Sequence, residues 1–114
     1  MFYSYEAVIR RVVDGDTFDA DVDVGFSITI GHRFRLANVD TPETWRPKTE
    51  AERAHGEKAT LFVRNLIEGK KVTLHTHKLG IYGRYEADVI LDNGERLANL
   101  LAENGLEKLD SYSD

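Results

Sequence analysis

The sequence predicts a mainly β fold with helices. Five short strands close into a Greek-key barrel, with one long helix after the third strand and a short helix near the C-terminal end. Three observations predict it. Apolar and polar residues alternate, the period of a half-buried strand, in stretches before residue 37 and again after residue 70. Between these blocks the period lengthens to three and four, the spacing of one helix face. The chain has 114 residues, room for one core, and closing the barrel removes free strand edges that are a liability at this size. A single domain over residues 1–114, with its core over about 6–109, is the expected organisation.

Taken in order, Val8, Ile9, Val12 and Val13 form a β-branched run that stops at the turn signal Asp14-Gly15-Asp16. Phe18, Ala20, Val22 and Val24 alternate with Asp19, Asp21 and Asp23, and Gly25 closes this second strand. The third strand carries Ile28, Ile30, His32, Phe34 and Leu36 on its apolar face, with Thr29, Gly31, Arg33 and Arg35 opposite. His32 reads as a hydrogen-bonded residue at the core edge. Residues 37–48 form a loop restricted by Pro42 and Pro47. Thr49 followed by Glu52 is a capping-box pattern, and Ala51, Ala54, Ala59, Phe62, Val63, Leu66 and Ile67 give a helix over about residues 50–68, stopped by Gly69. Val72, Leu74 and Thr76 make the fourth strand. A loop through Leu79 to Gly83 leads to the fifth, with Tyr85, Ala87, Val89 and Leu91. Leu97, Leu100 and Leu101 predict the short helix, capped by Gly105, and Leu106 and Leu109 are expected to pack down after it. Three strands, a helix, two strands and a short helix is the connectivity of the oligonucleotide-binding (OB) barrel.

Composition narrows the chemistry. There is no cysteine, which excludes disulfides, thiolate zinc sites and a cysteine nucleophile. Fifteen Lys plus Arg against twenty Asp plus Glu give a net charge of −5, unlike the basic footprint of a non-specific duplex binder. Clustered carboxylates inflate that count, and a bound divalent cation would reverse their local field. No apolar run approaches the roughly 20 residues needed to cross a bilayer. The start, Met1-Phe2-Tyr3-Ser4-Tyr5-Glu6, lacks the marks of a signal peptide, so a cytoplasmic location is the default expectation, with a mature secreted form as the alternative. A monomer is the default.

Core packing does not ask for Asp14, Asp16, Arg35, Asp40, Glu43 or Arg84. Asp40 follows an apolar position at the end of the third strand, and Pro42 stiffens the backbone between Asp40 and Glu43. Asp14-Gly15-Asp16-Thr17 sets two more carboxylates at a strand turn. Paired strands lie about 4.8 Å apart, so pairing of the first three strands would bring Asp16 towards Asp40. Such an oxygen-rich group suits calcium or magnesium. Arg35 and Arg84 supply the planar fork that fits phosphoryl oxygens, and Glu43 is a candidate to orient a water or take its proton. Each residue also has a plain reading: turn or cap for Asp16, solvated face for the arginines, a capped turn for residues 40–43. Trp45 and Arg46 read equally as a stacking and phosphate-contacting pair or as a loop anchor. His75 and His77 share a strand face but lack a third zinc ligand. The set as a whole favours the functional reading.

The order Val13-Asp14-Gly15-Asp16-Thr17, then Phe34-Arg35-Leu36-Ala37-Asn38-Val39-Asp40-Thr41-Pro42-Glu43, then Tyr82-Gly83-Arg84, resembles the staphylococcal nuclease (thermonuclease) family. The resemblance runs from about residue 6 to 109 and includes Asn99 and Gly105-Leu106. It implies a five-stranded OB barrel and a calcium-dependent nuclease of DNA and RNA with little sequence preference. It further implies attack of water at phosphorus that leaves the phosphate on the 3′ side. It places the calcium ligands on Asp16, Asp40 and the Thr41 carbonyl, with Asp14 beside them, and magnesium as a possible substitute. It places the catalytic groups on Arg35, Arg84 and Glu43, and a nucleotide-facing tyrosine on Tyr82. The departures are a shorter C-terminal stretch without the family's further helix, a short loop at Trp45-Arg46-Pro47-Lys48 and an acidic balance. They bear on affinity and on a preference for single strands. Tyr112 is a stacking candidate without an assigned place. The alternatives are a catalytically silent nucleic-acid-binding barrel, a domain reading peptides or modified residues, and a structural metal-binding domain.

Overall fold

A computed structural model of the chain describes residues 3–77 and 85–112. The strands β1 (Tyr3–Asp14), β2 (Thr17–Asp23), β3 (Thr29–Leu36), β4 (Lys71–Thr76) and β5 (Tyr85–Ile90) close a barrel in the order β1-β2-β3-β5-β4. Helix α1 (Glu50–Ile67) follows β3 and the short α2 (Leu97–Glu103) follows β5. This is the OB arrangement that the connectivity predicts. Every ladder is antiparallel except β3 with β5, where Phe34, Arg35 and Leu36 pair in parallel with Tyr85, Glu86 and Ala87. The predicted loop from Leu79 to Gly83 lies outside the described residues, as do Tyr82 and Arg84.

The core fills with the inward face of each strand. Ile9, Phe18, Leu36, Leu74 and Val89 are almost fully buried, and they meet Val63 and Ile67 of α1 and Leu97 and Leu101 of α2. Each such side chain contributes roughly 1.5–3 kcal/mol by leaving water. The helix forms where its cap says it should: Thr49 Oγ1 accepts from the Glu52 N–H at 3.0 Å. The reciprocal half of the capping box is displaced by one residue, because the Glu52 carboxylate accepts from the Lys48 N–H at 3.0 Å rather than from Thr49. Gly69, at φ +78°, ends the helix and turns the chain straight onto β1, where its N–H donates to the Ile9 carbonyl at 2.7 Å.

Three expectations change. β1 begins at Tyr3 rather than near Val8, because its first half pairs with β4 over residues 3–8 while its second half pairs with β2. One strand thus serves two neighbours, which closes the barrel. Ile28, Ile30 and His32 do not reach the core: Ile28 and Ile30 are half-exposed and His32 is exposed, its ring edge-on to Tyr85 at 4.2 Å. The cause is that β5 pairs with β3 only from Phe34 onwards, so among the described residues nothing covers this face of the first half of β3. Leu106 is buried as expected, but Leu109 is exposed.

β1 is irregular between Ile9 and Arg11 and again between Val12 and Asp14. There the last turn of α1 and its C-cap complete the backbone bonding: Glu68 Oε2 accepts from the Val12 N–H at 2.9 Å and the Arg64 guanidinium donates to the Val12 carbonyl at 3.2 Å. This bulge sits immediately before Asp14. Glu68→Ala leaves the Val12 N–H without its partner and is expected to lower stability by about 1–3 kcal/mol in urea unfolding, with Glu68→Gln recovering most of the loss.

Candidate functional site

The site begins at the β1–β2 turn. Asp14 Oδ1 accepts from the Asp16 N–H at 3.1 Å, which folds the turn and aims the Asp16 carboxylate towards β3. Asp16 Oδ1 accepts from the Thr17 hydroxyl at 3.2 Å, and Oδ2 accepts from the Thr41 N–H at 3.0 Å. The Asp16 carbonyl takes the Leu36 N–H at 2.7 Å. Arg35 projects outward between inward Phe34 and Leu36. Its guanidinium donates to the Leu36 carbonyl at 3.2 Å, lies 3.6 Å from Asp16 Oδ2 and contacts Asp40 Oδ1 directly. Asp16, Arg35, Asp40 and Thr41 are thereby brought together. The Asp16 and Arg35 side chains are largely covered, at 15% and 21% exposure, whereas Asp40 is open at 68%.

The loop after Asp40 is held by lack of space. Thr41 is buried, and a Cβ on Gly15 would stand 2.8 Å from its side chain. On the other side a Cβ on Gly56, inside α1, would stand 2.6 Å from the Pro42 carbonyl and 3.0 Å from that of Glu43. Both glycines are therefore places where the loop backbone touches its support. The Glu43 side chain is exposed on this anchored backbone. Trp45 is 72% exposed, and the Arg46 guanidinium stacks over its ring at 4.5 Å from the centroid. Arg46 holds a left-handed φ of 55°. The pair is thus an exposed stack rather than a buried anchor.

Electrostatically the turn is overloaded with negative charge. Burial raises the Asp14 carboxyl, and the neighbouring Asp16 raises it further, to about 7. The donor set suits a hard cation. Asp16 and Asp40 offer two carboxylates already sharing one positive partner, the Arg35 guanidinium, which occupies the position between them. Among the described residues no group of three or more His, Asp or Glu forms a complete cage, so a cation here would draw its remaining ligands from backbone carbonyls and water. His77, just past β4, engages Asp88 of β5 at 3.4 Å.

Several residues near the site escape a reading by motif. Gly56 carried a signal, since a glycine within a helix costs about 1 kcal/mol against alanine and calls for a packing reason. Glu52 looked like a cap, yet it is buried beside the Lys108 ammonium, 3.5 Å away. Its carboxyl is lowered chiefly by the Lys48 N–H, with Lys108 and the Glu43 backbone assisting against the cost of burial. Tyr112, the unassigned stacking candidate, is half-buried with its hydroxyl 2.6 Å from His55 Nδ1.

Two predictions follow from this geometry. Because the folded value of Asp14 lies above the usual carboxylate value of 3.8, its contribution to stability is full at acid pH and is lost as pH rises through about 7. The melting temperature of the metal-free wild type is therefore expected to fall relative to Asp14→Asn between about pH 5 and pH 8. A constant difference would rule out the raised value. Gly56→Ala should destabilise by roughly 1–3 kcal/mol in urea unfolding, against its favourable helix propensity, because the contact it meets is backbone.

Comparison with known proteins agrees with this geometry. Residues 33–114 match the family described as staphylococcal nuclease homologue. The chain is 34% identical over 108 residues to a thermonuclease of Staphylococcus intermedius, covering 92% of this chain and 60% of that protein. It is 35% identical over 106 residues to a thermonuclease of Staphylococcus hyicus, covering 91% and 59%. A third relative, "Endonuclease YhcR" of Bacillus subtilis (strain 168), is 33% identical over 108 residues, which are 89% of this chain and 8% of that protein. The chain thus spans about three fifths of the two thermonucleases and a small part of the third. With a family match over residues 33–114 and relatives 34% and 35% identical over about nine tenths of its length, the chain belongs to the staphylococcal nuclease homologue family.

Proposed function

We propose that this chain is a calcium-dependent nuclease that hydrolyses phosphodiester bonds of DNA or RNA with little sequence preference, by attack of water at phosphorus. The observation that carries the reading is the convergence of Asp16 and Asp40 on the Arg35 guanidinium. Asp16, Asp40 and the Thr41 carbonyl would hold the cation. When bound, it supplies Lewis-acid polarisation of the phosphate and a more acidic water.

The chain's own residues account for the rest. Arg35 has two tasks. Without substrate it neutralises two carboxylates that would otherwise repel, and with substrate its fork is placed to meet phosphoryl oxygens. Its bond to the Leu36 carbonyl keeps the head group at the strand end in both roles. Glu43 stands on backbone packed against Gly56, and its exposed carboxylate is proposed to orient the water and accept its proton. Arg84 is proposed as the second phosphate-binding cation and Tyr82 as a nucleotide contact. Asp14 holds the turn that presents Asp16, by accepting the Asp16 N–H. The exposed Trp45–Arg46 stack offers one aromatic face and one cation, which favours single strands with unstacked bases.

The test is hydrolysis of a quenched fluorescent single-stranded DNA oligonucleotide in calcium, in magnesium and with a chelator. Calcium-dependent turnover is expected, with Arg35→Ala and Glu43→Ala each lower by at least about a hundredfold, the scale of losing one electrostatic or acid–base group. Oligonucleotide binding without turnover in either metal would replace the nuclease with a silent binding barrel.

A further inference from the structure

The loop bearing Asp40 has a second support, built from residues distant in sequence. The Lys108 N–H donates to the Asp40 carbonyl at 2.8 Å, so the chain after α2 is bonded directly to the backbone of a site residue. Lys108 also places its ammonium 3.5 Å from Glu52 Oε2, while the Lys48 N–H donates to Glu52 Oε1 at 3.0 Å. The buried Glu52 carboxylate thus joins the far end of the loop to the segment that holds its near end.

That segment is itself fastened at two points by one histidine. His55 Nε2 lies 2.7 Å from the Gly105 carbonyl, and Nδ1 lies 2.6 Å from the Tyr112 hydroxyl. A carbonyl only accepts, so Nε2 carries the hydrogen, and Nδ1 accepts the hydroxyl proton of Tyr112. The Tyr112 oxygen then accepts the Leu109 N–H at 3.1 Å. Every polar group in this relay has a partner of the right sense. His55 also adjoins Gly56, against which the Pro42 and Glu43 carbonyls rest. One turn of α1 therefore sets both supports of the loop.

We propose that residues 105–112 are a brace on the metal loop and that His55 and Tyr112 are positioning residues for it, acting through Lys108 on Asp40. The inference rests on the metal-binding reading of Asp40 given above, and concerns how that residue is held. A flexible loop would spread the Asp40 and Glu43 groups over many placements, and each placement outside the productive one weakens cation binding and catalysis.

Tyr112→Phe removes only the hydroxyl and keeps the ring against His55, with ring centroids 5.6 Å apart, so folding should survive. Calcium titration by calorimetry, without substrate, is expected to show roughly tenfold weaker binding in this variant and in His55→Ala. Amide hydrogen exchange at Thr41 and Glu43 in the metal-free protein should quicken in both. In the nuclease assay kcat should fall with KM little changed. His55→Gln offers an N–H to Gly105 and a carbonyl to Tyr112, and should restore all three readouts. A lower melting temperature with unchanged exchange and unchanged calcium affinity would overturn the brace and leave a plain fastening. A wild type that binds no calcium would overturn the metal reading instead, and the exchange comparison would still decide for or against the brace.

Discussion

The structure depends on a short parallel seam. Without the pairing of Phe34, Arg35 and Leu36 with Tyr85, Glu86 and Ala87, β3 and β5 would both be open edges and the barrel would be a curled sheet. The seam is extended by the Ala37 N–H, which donates to the Ala87 carbonyl at 3.0 Å. Because side chains alternate across a strand, burying Phe34 and Leu36 in the core obliges Arg35 to face outward at that same point. The reaction to the packing requirement is thus a cation held at the barrel rim. The Asp16 carbonyl binds the Leu36 N–H, so the β1–β2 turn docks where the arginine emerges.

From this point the site is a matter of charge and space. The Asp14, Asp16 and Asp40 carboxylates lie at one end of the barrel, and among the described residues the Arg35 guanidinium answers two of them. Asp14 shows the remaining imbalance, with its carboxyl held near neutrality by burial and by Asp16. Concentrating acid in this way costs stability, and local conflict of that kind is the feature on which the proposed cation site rests. The loop that carries Asp40 gains its rigidity differently, from two glycines that leave it nowhere to move and from the buried Glu52 that gathers both of its ends.

The overhanging half of β3 shows how a correct local pattern can lead to a wrong expectation. Ile28, Ile30 and His32 obey the strand period, and the period rightly places them on one face. Whether that face is covered depends on where β5 starts, and the local sequence of β3 holds no information about it. The same applies to Tyr3 and Tyr5. They belong to a strand only because β4 returns to pair with them, some seventy residues later.

What the sequence by itself determined is local: the strand and helix periods, the Thr49 cap, the Gly69 stop, the Asp-Gly-Asp turn and the order of three motifs that place the chain in its family. These are legible because each arises from interactions within a few residues. Only the tertiary structure decided that Asp16 and Asp40 share Arg35, that Gly56 is a floor for the loop, and that His55 holds Tyr112 beneath it. Those contacts join residues far apart in the chain, and hydrogen bonding and close packing between them are set by barrel closure, which no local period records.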